Sequence, residues 1–70
     1  MTIQERCDLM ARRIWWNRRV AGLTLRELGA LSGISADAIS SAEREGTVTV
    51  AQLSAIAKAL DIDPGVLLDP

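Results

Sequence analysis

Two short helical patterns joined by a glycine turn occupy residues 23–46, in the stretch LTLRELGALSGISADAISSAEREG. The first pattern begins at Thr24, whose hydroxyl can cap a helix, and Glu27 three residues later completes a capping box. Leucines then follow at every third position, a helical spacing that predicts one buried face. They are Leu25, Leu28 and Leu31. The stretch therefore predicts helices rather than strands.

A turn containing Gly33 separates the two patterns, and glycine can adopt the positive φ that a tight exit from a helix needs. Ser35 then provides a natural N-cap for the second helix. The residues of this helix that we expect to face inward are Ala38, Ile39 and Ala42. Two helices joined by a short turn that includes glycine form a helix-turn-helix, which the sequence predicts over about residues 24–45.

A long first helix is predicted from Thr2 to about Ala21, just before Gly22. Glu5 lies three residues after Thr2, so these two residues form another capping box. The apolar residues of this helix are spaced by four, three and four positions, which predicts one buried stripe. They are Ile3, Cys7, Met10 and Ile14.

Thr49 and Gln52 repeat the capping pattern and begin a fourth helix. Its predicted buried residues are Leu53, Ile56, Ala57 and Leu60. Asp63, followed by Pro64 at the first helical position, begins a short fifth helix. Because 70 residues provide core for one domain, we predict an all-α fold, a compact five-helix domain spanning residues 1–70.

The composition argues against several classes of protein. No apolar run approaches the roughly 18 residues of a membrane span, and the N-terminus lacks the apolar region of a secretory signal. Cys7 is the only cysteine and histidine is absent, so we expect neither an internal disulfide nor a metal site. No nucleophile–base arrangement or glycine-rich phosphate loop is recognisable. We therefore expect no enzyme, no cofactor, no small-molecule ligand, no membrane partner and a cytoplasmic location.

The residues that match the pattern of a known family extend beyond the two helices described first. From the first helix to the last, the matching residues are Ile14, Arg18, Leu23-Thr24, Glu27-Leu28, Gly33-Ile34-Ser35, Ile39, Glu43, Leu53, Ile56-Ala57, Ala59-Leu60 and Leu67-Leu68. Through these residues, the segment from about Ile14 to Leu68 resembles the helix-turn-helix of Cro and lambda-repressor-like (XRE) regulators. The resemblance implies a lambda-repressor-like fold and a transcriptional regulator that binds double-stranded DNA. An arbitrary small helical bundle with the same apolar period is the alternative.

The resemblance also implies which residues meet the bases. The recognition helix, about residues 35–45, would lie in the major groove, with Ala36, Asp37, Ser40 and Ser41 facing the bases. Asp37 can accept from a cytosine amino group, the serines can bond either way, and Ala36 can contact a thymine methyl. An acid in the first turn of a helix also interacts favourably with the helix dipole, which gives Asp37 a structural alternative.

Contacts to the DNA backbone are expected from the starts of the second and third helices and from nearby arginines. The residues implied are Thr24, Leu25, Arg26, Ser35, Arg44, Thr47 and Arg18. Members of the family commonly carry glutamine where this chain has Leu25, so only the backbone amide remains there. The loop after Glu43 also departs from the family, because its glycine, Gly46, comes one residue later than usual.

In the family, an arginine of the first helix pairs with the glutamate at the end of the recognition helix. Arg18 and Glu43 occupy these positions. A guanidinium can bind a carboxylate through two N–H groups and still offer a proton to phosphate. The resemblance thus implies a structural salt bridge, and two unrelated surface charges are the alternative.

Two adjacent tryptophans, Trp15 and Trp16, lie about 100° apart on the first helix, so both cannot face one core. Either one packs inside while the other lies along the surface under arginine stems, or they form an interface with a partner. The family more often dimerises near its C-terminal helix, where Val66 and Leu68 are the candidates. The sequence leaves both surfaces open.

The charge is polarised along the chain. Residues 1–26 hold six arginines and two acids, whereas residues 27–70 hold two bases and seven acids, for a net charge of −1. We predict a free-standing, Cro-like, sequence-specific regulator of phage or mobile-element type. It would be a homodimer at least on DNA, in the cytoplasm of a bacterial or phage-infected bacterial cell. The acidic balance and the small base-facing residues favour the alternative, the same fold used as a protein-interaction module.

Overall fold

The computed structural model describes residues 2–68, in which five helices follow one another. They are α1 (Ile3–Val20), α2 (Leu25–Ser32), α3 (Ala36–Glu45), α4 (Val50–Ala59) and α5 (Pro64–Leu68). This part of the chain contains no strand, so the predicted all-α, five-helix fold is confirmed. The extent of the domain over residues 1–70 stays a prediction, since Met1, Asp69 and Pro70 lie outside the described residues.

Threonine side chains begin three of the helices, and each forms the capping box that the sequence predicts. At the start of α2, the Thr24 hydroxyl accepts from the N–H of Glu27 at 3.0 Å. The Glu27 carboxylate in turn accepts from the N–H of Thr24 at 3.0 Å. The boxes at Thr2 and Thr49 have the same pattern. These bonds satisfy N–H groups that the start of a helix otherwise leaves without a partner.

The core takes one large, fully buried side chain from each helix. In chain order these are Ile14, Leu28, Ile39, Ile56 and Leu67, each no more than 1% exposed. Smaller side chains, Ala42 and Ala57 among them, fill the space between. Because every helix contributes one such residue, even the five-residue α5 is anchored to the centre of the domain.

Two residues that we predicted inside lie at the surface. Leu31 is 62% exposed, because each three-residue step rotates the side chain by about 60° around the helix and carries it away from the face centred on Leu28. Ile3 is 83% exposed, because α1 is about 27 Å long and α3, against which it mainly packs, only about 15 Å. The first turn of α1 therefore extends past the end of α3.

Candidate nucleic-acid interface

The outward side of α3 carries a row of polar side chains. Ile39 and Ala42 face the core, which leaves Asp37, Ser41 and Arg44 aligned along the opposite side at spacings of four and three residues. Asp37 and Arg44 are exposed, and Ser41 is half-buried. Ala36 and Ser40, the other two predicted base-facing residues, are half-buried at the edge of this row. The first two turns of α3 thus present only short side chains.

The start of α3 is capped by Ser35, whose hydroxyl accepts from the N–H of Ala38 at 3.1 Å. The first N–H groups of a helix have no acceptor within the helix, so those of Ala36 and Asp37 are available to an anion. Asp37 itself lies in this first turn, where its charge interacts favourably with the helix dipole.

The start of α2 offers a second set of backbone donors. Arg26 and Thr24 are exposed there, whereas Leu25 is half-buried against the core and contributes only its amide. The hydrogen bond that the Glu27 carboxylate accepts from the backbone N–H of Thr24 holds the pKa of Glu27 below its usual value. Glu27 is therefore ionised near neutral pH, and its negative charge lies beside the donors that would meet a phosphate.

A buried ion pair joins α1 to the end of α3. Arg18 Nε donates to Glu43 Oε2 at 2.6 Å and Nη2 donates to Glu43 Oε1 at 3.0 Å, so the pairing uses two parallel bonds. Nη1 donates to the carbonyl of Leu23 at 2.8 Å. The Glu43 hydrogen bonds raise the pKa of Arg18, although desolvation opposes them. The structure thus brings Arg18 and Glu43 together as the resemblance implies.

The burial of Arg18 bears on its second predicted role. Its side chain is 10% exposed and that of Glu43 is 7% exposed. With three of its N–H groups bonded inside the protein, Arg18 is placed to orient α3 rather than to reach a phosphate. The Leu23 carbonyl is a partner that the sequence did not reveal, since a backbone acceptor leaves no trace in residue type.

The remaining predicted DNA-backbone residues, Arg44 and Thr47, are both exposed. Arg44 lies in the last turn of α3, where a positive charge suits the helix dipole, and Thr47 follows in the loop. Arg44 is the last residue of the polar row, so Arg44 and Thr47 lie at the opposite end of α3 from Ser35.

Both tryptophans lie at the surface, which contradicts the alternative in which one of them packs inside. Trp15 is 43% exposed and Trp16 is 61% exposed. The inward side of α1 is taken instead by Ala11, Ile14 and Arg18, and the tryptophans fall outside it. The guanidinium of Arg19 lies 5.1 Å from the centre of the Trp15 ring, in a cation–π contact. Of the C-terminal interface candidates, Val66 is 49% exposed and Leu68 is 55% exposed.

Residues 2–68 include no group of His, Cys, Asp and Glu side chains placed to hold a metal ion. Over the same range, no helix has the length and apolar character needed to cross a membrane.

Comparison with known proteins identifies one family and several solved structures. A helix-turn-helix family model matches residues 17–67. The restriction-modification controller protein C.AhdI from Aeromonas hydrophila is 29% identical, with a TM-score of 0.83 over 87% of this chain and 94% of that chain. A variant of the controller protein C.Esp1396I is 27% identical, with a TM-score of 0.83 over 89% of this chain and 82% of that chain.

A third structure was solved with DNA. The P22 c2 repressor, in complex with a synthetic operator, is 36% identical, with a TM-score of 0.78 over 86% of this chain and 92% of that chain. No protein of curated function matches the chain significantly. The three structures share the helical architecture described above.

Proposed function

We propose that this chain, which belongs to the helix-turn-helix family of DNA-binding transcription regulators, recognises a specific duplex sequence by placing α3 in the major groove. One observation carries the proposal. The outward row Asp37, Ser41 and Arg44 is exposed or half-exposed on α3, and the buried Arg18–Glu43 pair fixes the far end of that helix. A single α-helix fits the major groove, and its first turns bring side chains to the base edges.

Base reading would depend on few groups. In this proposal, Asp37 accepts from a cytosine amino group, Ser40 and Ser41 bond to either kind of edge, and Ala36 contacts a thymine methyl. None of these residues is an arginine, lysine, glutamine or asparagine, the side chains that make the strongest base contacts. A larger share of the specificity is therefore assigned to the shape and deformability of the DNA.

Positioning on the phosphates would come from both ends of α3 and from the start of α2. The amides at the starts of α2 and α3 bind phosphate oxygens, together with Thr24, Ser35 and Arg26. Arg44 and Thr47 bind the backbone at the other end, and each cation that meets a phosphate makes the affinity dependent on salt. The buried Arg18 we assign to orienting α3.

We also propose that the protein binds DNA as a homodimer, because two-fold dimers read two half-sites about one helical turn apart. Likeness to the P22 c2 repressor, which was solved on an operator, supports the DNA partner. We further propose a regulator of phage or mobile-element type that acts in the cytoplasm of a bacterial cell.

A protein-interaction module is the second candidate function. Two partly exposed tryptophans favour it, since tryptophan is a common interface anchor, and so does the lack of strong base readers on α3. In that case the fold would be retained while duplex DNA bound weakly and without sequence preference.

Selection from a library of random duplexes, followed by titration of the enriched sequence, separates these two functions. We expect an enriched site made of two related half-sites, bound at least ~10³-fold more tightly than a scrambled duplex. Affinity should fall steeply as salt rises. Failure to enrich any sequence, or equal affinity for enriched and scrambled duplexes, would exclude sequence-specific DNA binding and leave the second candidate.

Two single variants then separate reading from positioning. Arg44→Ala removes one cation from each copy of the dimer, so it should weaken binding to all duplexes alike and reduce the slope of log affinity against log salt by about 2. Asp37→Ala should instead relax the preference at one base pair of each half-site. Lys58→Ala, which removes an exposed cation from α4, is the matched control and should change neither property. A change of sequence preference with Arg44→Ala, or none with Asp37→Ala, would contradict the roles proposed here.

A further inference from the structure

The outward side of the C-terminal half of α1 carries cations and large apolar residues together. We call it the arginine–tryptophan face, and its residues are Arg12, Arg13, Trp16, Arg19 and Val20. Trp16 is 61% exposed and Val20 is 68% exposed. The face lies on the side of α1 away from Ile14 and Arg18, which contact the core and α3. It is therefore separate from the polar row of α3.

Among residues 2–68, no acidic side chain pairs with the positive charge of this face. The sequence contains no acid between Asp8 and Glu27. In the part of the chain that the structure describes, the Arg18–Glu43 pair is the one salt bridge. Arg19 lies over Trp15, and Arg13 reaches only a backbone carbonyl, that of Leu67, at 3.5 Å. A surface of this kind is complementary to one that is acidic and apolar.

This chain presents an acidic, apolar surface of its own at the turn between α4 and α5. Asp61 is exposed there with φ +58°, at a helix end where glycine is usual and where the helix dipole disfavours a negative charge. The neighbouring Asp63 accepts from the N–H of Gly65 at 2.8 Å, and this hydrogen bond explains why an acid occupies position 63. Asp61 makes no such contact within residues 2–68. Val66 and Leu68 supply the apolar part.

The two surfaces are carried by elements that touch each other. α1 and α5 are in contact, and the Arg13–Leu67 hydrogen bond crosses between them. Trp16 and Val20 follow Arg13 at three and seven residues along α1, so they lie on the same side of α1 as Arg13. A surface that is basic on one side and acidic on the other is self-complementary under two-fold rotation.

We propose that the arginine–tryptophan face and the Asp61 turn form an interface between two copies of this chain. In each half of it, Arg12 and Arg19 of one copy pair with Asp61 of the other, and Trp16 packs against exposed apolar residues of the partner's α5. A stable interface takes roughly 800 Å² from each partner, about a sixth of the 4625 Å² accessible surface. The proposal rests on the homodimer proposed above and identifies its surface.

Sedimentation of the full chain without DNA tests the interface independently of DNA binding. We expect the unmodified chain to form dimers, and expect the double variant Arg12→Glu with Arg19→Glu to associate at least about tenfold more weakly. Arg6→Glu, the same charge reversal at an exposed position in the N-terminal half of α1, is the matched control and should leave association unchanged. A monomeric unmodified chain, or equal association of all three proteins, would overturn the proposal.

Charge exchange between copies makes the test specific to the proposed pairing. Asp61→Arg alone should also dissociate, because arginines then face arginines. Mixed with the Arg12→Glu, Arg19→Glu chain, it should form a heterodimer in which both halves of the interface are again attractive. Absence of a heterodimer would show that these residues do not meet. If reversing Arg12 and Arg19 left association intact and lowered DNA affinity instead, the face would belong to the DNA interface and the proposal would be wrong.

Asp61→Gly has a signature that a merely structural role would not produce. Removing a side chain from a left-handed position should stabilise each copy by a modest amount, because glycine adopts this conformation without strain. Removing the carboxylate should at the same time weaken association. An Asp61→Gly chain that dimerises as tightly as the unmodified one would contradict the pairing.

Discussion

Replacing Glu43 with alanine is expected to lower the free energy of unfolding by about 3 kcal/mol, the loss found when one partner of a buried ion pair is removed. The variant leaves the Arg18 guanidinium buried with its two carboxylate bonds missing. A domain of 70 residues has only about 4–10 kcal/mol to lose, so the melting temperature should fall by roughly 12–24 °C. Urea unfolding followed by circular dichroism measures this directly.

Two comparison variants show whether the pair is responsible. Glu45→Ala removes an exposed carboxylate from the same helix and should change stability by less than about 0.5 kcal/mol. The double variant Arg18→Met with Glu43→Leu removes both charges and should recover much of the loss, since an apolar pair leaves no buried charge unpaired. Equal stabilities for Glu43→Ala and Glu45→Ala would show that the pair does not hold α3 in place.

Gly46→Ala should also destabilise the domain by about 3 kcal/mol, for two reasons that add. Gly46 has φ +71°, which costs a residue with a Cβ about 1 kcal/mol. The new Cβ would also overlap the backbone of Cys7, lying 2.6 Å from its carbonyl carbon and 2.7 Å from its Cα. Backbone atoms cannot rotate away, so α1 would have to move from the end of α3, at a cost of roughly 1–3 kcal/mol.

Gly33→Ala is the matched control for this prediction. Gly33 has φ +76°, nearly the same conformation, but a Cβ there meets no atom within 4 Å. It should therefore cost only about 1 kcal/mol. The difference between the two variants, measured by urea unfolding, isolates the close approach of α1 to α3. Equal losses would mean that the two helices are not packed backbone to backbone at this point.

Local signals were sufficient to predict the five helices. Thr2, Thr24 and Thr49 begin helices in the structure as the capping pattern predicts, and Pro64 begins the fifth. A cap and its partner lie three residues apart, so the interaction that starts the helix is written in the local sequence. The fold itself followed from the resemblance, and the family match and similar structures confirm it.

The inward direction of each helix was harder to predict, because it depends on which neighbours exist. Trp15 and Trp16 are larger apolar residues than Ala11, yet Ala11 is buried and they are not. On α1 the inward position is occupied by Arg18, whose charge is acceptable there only because Glu43 lies opposite. A pattern of apolar residues alone ranks a tryptophan above an arginine for burial, and that ranking fails here.

Contacts between segments that are far apart in the chain could not be predicted from the sequence. Nothing near Cys7 indicates that Gly46 lies against its backbone, although the glycine itself could have been identified as the end of α3. The positive φ of Asp61 is equally hidden, because aspartate adopts left-handed conformations more readily than most residues but still in a small minority of cases. The residues of the polar row of α3 could be predicted from the resemblance. The function of that row depends on the DNA it meets, which the protein sequence does not describe.

An NMR titration of ¹⁵N-labelled protein with the duplex enriched by selection shows which helices contact DNA. If α3 enters the major groove and the starts of α2 and α3 bind phosphate, the largest amide shifts should fall on residues 24–27 and 35–41. Residues 50–59 of α4 should shift little, and a scrambled duplex should give smaller changes at the same positions. Shifts concentrated on α1 or α4, with residues 35–41 unchanged, would show that the helix-turn-helix is not the surface that contacts DNA.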